Sequence, residues 1–143
     1  MKNLMERELS FPVIVISNND YRIFVYFSEK NLKATSKELL RKLDYTNLEI
    51  IDSLGNKFKI KRAFKVKYLG LWGYNPFLKG RQILIDFQYM PDAPIISLED
   101  LKIDLIRRVE ANRTLWQTGW DIKELVAAIY RCETFDSVAK LLK

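Results

Sequence analysis

Five lysines carry the clearest chemistry in this chain: Lys57, Lys59, Lys61, Lys65 and Lys67, within the run KFKIKRAFKVKYL at 57–69. Ammonium groups in a row do no acid–base work at neutral pH. Their chemistry is attraction of anions, either the carboxylates of an acidic protein or the phosphates of a nucleic acid. Successive side chains of a strand point to opposite faces. The alternation therefore predicts a strand with the lysines and Ala63 on one face. Phe58, Ile60, Phe64, Val66 and Tyr68 take the other, with Arg62 the exception. Neighbouring lysines on that face would lie roughly 6.5–7 Å apart. That is within a Debye length of about 8 Å at physiological salt, so they repel one another unless something negative offsets them.

The surrounding sequence concentrates the charge. No acidic residue occurs between Asp52 and Asp86, while Lys79, Arg81 and Arg62 join the five lysines there. Residues 1–80 hold 15 basic and 8 acidic groups and residues 81–143 hold 9 and 10, within a formal net charge of +6. Lysines on the wet face of a sheet also serve solubility and discourage edge pairing, and that plainer reading stands beside the functional one. Next to the run, GLWGYNPFLKG (70–80) places Trp72, Tyr74 and Phe77 on a Gly/Pro-rich loop. Such rings are candidate anchors for a partner or stacking surfaces for bases, and equally a lid folded back over a sheet end. Trp116 and Trp120, around Gly119, read as packing between helices.

Signals for catalysis are sparse. The chain has no histidine and one cysteine, Cys132. This removes the commonest general base, zinc ligand and pH switch, and any disulfide framework within the chain. Ser137-Val138-Ala139-Lys140 fits a bare S-x-x-K pattern without its supporting elements. Asp100 and Asp104 stand one helical turn apart, as pairs on a solvated face often do. No glycine-rich phosphate loop occurs, and no cofactor or metal is expected. The reading is therefore a protein that is not an enzyme.

The elements that must position these residues split into a strand-rich front and a helical back. Phe11–Ser17 and Tyr21–Ser28 flank the turn cluster Asn18-Asn19-Asp20 and predict a hairpin. Thr35–Leu43 predicts a short amphipathic helix capped by Thr35. Strands follow at Leu48–Ser53, in the basic run, and at Arg81–Met90, with a turn at Leu54-Gly55-Asn56. Three helices, opened by Ser97, Asp121 and Thr134, carry apolar residues at spacings of three and four. The expectation is a single α+β domain over residues 1–143: a mainly antiparallel sheet of about five strands, ordered β-β-α-β-β-β, then three helices packed on one face.

The first apolar run, Phe11–Ile16, is short, holds Pro12 and follows Glu6 and Glu8, unlike a secretory leader. No stretch approaches a membrane span, and one cysteine suits a reducing compartment, so a cytoplasmic location is expected. Asn112-Arg113-Thr114 reads as a chance glycosylation pattern.

In size, β-before-α layout and lack of a catalytic set, the chain resembles small bacterial immunity proteins, which bind and neutralise a cognate toxin domain. The resemblance is architectural and carries no functional positions across. Immunity proteins that mimic nucleic acid are often acidic. In a basic chain the resemblance implies a partner with an acidic surface. The leading expectation is a protein-binding module, steered by the lysines and anchored by Trp72, Tyr74 or Phe77, with an acidic protein, a toxin domain among the possibilities, as partner. The first alternative is single-stranded nucleic-acid binding, against which the strand's aromatics point away from its lysines. The second is a small enzyme or ligand carrier with a pocket between sheet and helices.

Overall fold

Residues 8–36, 39–40, 44–68 and 82–143 are described by the computed structural model of the chain. Six strands form one antiparallel sheet: β1 (Val13–Ser17), β2 (Ile23–Tyr26), β3 (Ala34–Ser36), β4 (Leu48–Ile51), β5 (Lys57–Tyr68) and β6 (Gln82–Tyr89). Their spatial order is β2-β1-β4-β5-β6-β3. The α+β class and the antiparallel pairing agree with the sequence pattern.

The two edge strands, β2 and β3, are joined by α1 (Glu29–Lys33), a helix of five residues. So short a link, with about 1.5 Å of rise per helical residue, holds the two edges close together. The sheet accordingly curls into an open barrel with two differently covered faces. The inner face buries Val13, Val15, Ile50, Phe58, Ile60, Ile83, Ile85, Phe87 and Tyr89 with Leu32 of α1. Phe58, Phe87 and Tyr89 stack in tilted contacts, with centroids 5.2 Å (Phe58–Tyr89) and 6.2 Å (Phe87–Tyr89) apart.

The outer face of β1, β2 and β4 is covered by α2 (Leu98–Ala111), α4 (Ile122–Arg131) and α5 (Phe135–Leu142), with the short α3 (Arg113–Trp116) between the first two. Leu101, Leu105, Val109, Leu125, Ile129 and Val138 are fully buried against Ile14, Ile16 and Ile51. Ser97, Asp121 and Thr134 cap these helices as their sequence predicts, each accepting a hydrogen bond from a backbone N–H of the first turn. Trp116 packs on this core, whereas Trp120 and Tyr130 are exposed.

One local expectation differs. Thr35 belongs to strand β3 rather than to a helix cap, and the adjacent Ser36 hydroxyl accepts from the Leu39 N–H. Pairing with Ile83 and Gln82 of β6 holds Thr35 and Ser36 extended. Much of the predicted helix 35–43 lies outside the described residues. The sheet thus gains a sixth strand; Leu39 and Leu40 are helical as predicted, and a further helix, α1, capped by Ser28, precedes β3.

Two buried polar groups tie the parts together. Arg108 of α2 is nearly inaccessible. Its guanidinium donates to Asp104 (2.7 Å), the Ser17 carbonyl (2.6 Å) and the Asn18 side-chain oxygen (2.9 Å). Asp52, equally buried, accepts from the backbone N–H groups of Leu54 (3.1 Å), Asn56 (2.9 Å) and Ser10 (3.3 Å). It fixes the turn that feeds β5. Gly55 occupies that turn at φ +85, and a Cβ there would lie 2.8 Å from the Ile96 carbonyl oxygen.

Candidate cationic ribbon on strand β5

Strand β5 runs from Lys57 to Tyr68, and only its first three residues pair with β4. From Ile60 onward it pairs with β6 alone among the described residues, so β5 and β6 continue as a ribbon past the end of β4. Lys59, opposite Glu49 at the end of the β4-paired stretch, and Lys61, Arg62, Lys65, Val66 and Lys67 beyond it are exposed.

The register is not continuous. Shifts fall between Ile60 and Arg62 and between Lys65 and Lys67. Each bulge adds one residue and turns the following side chains to the other face. Residues directly opposite share a face. Arg62, Phe64 and Lys67 stand opposite Gln88, Asp86 and Leu84 on the outer face. Ala63, Lys65 and Tyr68 stand opposite Phe87, Ile85 and Ile83 on the inner face. Lys61 is the extra residue of the first bulge. The lysines therefore do not form one uniform row. The expected single ridge is replaced by cations on both faces of a ribbon, and Arg62 joins them.

The local carboxylates are committed elsewhere. Glu49 pairs with Lys57 at 3.3 Å and accepts from Asn18 at 2.6 Å. Asp86, opposite Phe64, is held by Lys33 of α1 at 2.9 Å. Burial pulls the Lys33 pKa down, but its hydrogen bonds to Glu29 and Asp86 outweigh this and raise it. That ammonium therefore stays charged in its clasp. Among the described residues, Lys59, Lys61, Arg62, Lys65 and Lys67 make no ion pair with a carboxylate. Two of them lie over rings: Arg62 at 5.2 Å from the Phe64 centroid and Lys65 at 4.1 Å from that of Tyr68. Of the five lysines singled out by their spacing, four are exposed and unpaired in this way, and Lys57 is half-buried and neutralised. Trp72, Tyr74 and Phe77 lie outside the described residues.

Sequence reasoning missed a concave feature. The open end of the barrel holds a cavity of ≈ 590 Å³, walled by both sheet edges. It lies on the face of the sheet away from α2, α4 and α5, not between sheet and helices. Its lining is spread over all six strands and α1, one to three residues from each, so no local pattern announces it. Among the described residues no group of three His, Cys, Asp or Glu is placed to hold a metal ion. No helix of the described residues is long and apolar enough to cross a membrane. No protein-family model, curated protein or solved structure matches the chain.

Proposed function

We propose that the protein is a binding module rather than an enzyme, and that its β5 ribbon docks on the acidic surface of a protein partner. One observation carries this reading: Lys59, Lys61, Arg62, Lys65 and Lys67 crowd one ribbon while the nearest carboxylates are held by Lys57 and Lys33. Confining like charges that lack direct ion pairs costs free energy, and an acidic partner recovers it. Val66, half-exposed between Lys65 and Lys67, offers an apolar contact within the patch. The cations would chiefly raise the association rate, while apolar contacts would set the lifetime of the complex. An immunity-type role, in which the partner is a bacterial toxin domain with an acidic face, is the specific form of this reading, with a cytoplasmic site of action.

The test is capture from cells with the wild-type chain and with a variant carrying Lys59→Glu, Lys61→Glu, Lys65→Glu and Lys67→Glu, followed by titration of the recovered protein. An acidic protein bound by the wild type and lost by the variant supports the reading. A partner held equally by both refutes it.

Single-stranded nucleic acid gains one observation in its favour, because Arg62 lies over its same-face neighbour Phe64 and the second bulge brings Tyr68 beside Lys65. In each pair, however, the protein's own cation lies over a ring face that a base would stack on. Filter binding separates the two readings. Phosphate recognition predicts affinity falling with salt, with a log–log slope of about 0.7 per phosphate on single strands. Absence of binding at low salt ends the nucleic-acid reading.

A further inference from the structure

The barrel cavity is built unlike the ribbon. Val15, Phe24, Leu48 and Ile50 supply apolar wall, and in the register each lies on the inner face of the sheet. The volume of ≈ 590 Å³ falls within the range of small-molecule sites, roughly 300–1,000 Å³. Its inner polar groups, Ser17, Tyr26, Thr35, Ser36, Tyr45 and Gln82, are uncharged. The Tyr45 phenol is engaged by the Thr35 side chain. Tyr26 is half-buried on the cavity wall, and its hydroxyl has no hydrogen-bond partner among the described residues. Burial raises the pKa of both phenols, so they remain neutral donors. The charged residues of the wall, Asp20 and Arg22, are exposed and paired with each other at 3.3 Å, so neither presents a net charge to an incoming molecule.

We infer that this cavity is a binding site for an uncharged, largely apolar small molecule carrying one hydrogen-bonding group, which the Tyr26 hydroxyl meets. A charged ligand is disfavoured because no unpaired ion of the described residues faces the interior, and desolvating a charge without a partner is costly. The site lies on the inner face of the sheet and is independent of docking by the β5 ribbon.

The test uses Nile red, a neutral carbonyl-bearing dye whose emission shifts to the blue in apolar surroundings, with anilinonaphthalene sulfonate as its anionic counterpart. The wild type should bind one Nile red saturably and more tightly than the sulfonate. Leu48→Trp, which fills the cavity from β4, should weaken Nile red by about tenfold or more, a loss of about 1.4 kcal/mol. Circular dichroism shows whether that variant is folded. Should it not fold, Phe24→Ser on the exposed edge strand removes apolar wall instead and should lower affinity likewise. The four-lysine reversal on β5 should leave dye binding unchanged. Three results overturn the inference: no saturable binding, wild-type affinity in a folded cavity variant, or a sulfonate dye bound as tightly as the neutral one.

Discussion

Gly55 and Arg108 show how single positions hold the parts of this fold in place. Gly55 combines a left-handed backbone with close approach to the Ile96 carbonyl and the Phe135 ring. Gly55→Ala meets strain and a clash together, and a loss of about 1–3 kcal/mol in unfolding free energy is expected, read from a lowered urea midpoint. A loss below a few tenths would show that the turn relaxes freely. Arg108 couples the first helix of the outer layer to the β1–β2 turn. Arg108→Ala would orphan the buried Ser17 carbonyl and leave Asp104 without its nearest cation, at a cost of about 3 kcal/mol. Unchanged stability in that variant would contradict its role as a tie.

At the scale of elements, the inner face of the barrel should report on pH. Burial raises the pKa of Tyr26, Tyr45 and Tyr89, and the charges of Asp86 and Glu29 raise Tyr89 further. Native tyrosines then keep protons that the unfolded chain loses above about pH 10, so the unfolded state binds fewer protons and stability falls as pH rises past that point. This contribution is fully present below it. In an alkaline ultraviolet titration, part of the tyrosinate signal should appear only as the far-ultraviolet dichroism collapses. Titration of all seven tyrosines near their ordinary pKa in a folded protein would contradict the burial. Much of this layer was legible in the sequence. Helices α2, α4 and α5 announced themselves through Ser97, Asp121 and Thr134 and through their apolar stripes. Strand β5 was legible from its alternation, but its bulges were not. A bulge depends on how β6 pairs with β5; the break of alternation at Arg62 falls at the first bulge, but nothing in the run marks the second. Strand β3 was hidden for the same reason: ATS is three residues long and is extended only because β6 lies beside it. The cavity comes from curling of the whole sheet, which no single segment encodes.

For the molecule as a whole, the helical layer and the barrel interior are two apolar cores on opposite faces of one sheet. The helices secure β1, β2 and β4, while β5 and β6 run on as a ribbon beyond β4. Along β5 the cations Lys59, Lys61, Arg62, Lys65 and Lys67 are exposed among the described residues, and the net charge of +6 gives an approaching acidic surface a favourable long-range field. The most direct measurement is the association rate between the chain and its captured partner, followed across ionic strength for the wild type and for the Lys59→Glu, Lys61→Glu, Lys65→Glu, Lys67→Glu variant. Docking through the ribbon predicts a wild-type rate that falls steeply with salt and a variant rate at least about tenfold lower at low salt, the two converging as salt screens the charges. Equal rates with equal salt dependence would place the contact elsewhere on the molecule.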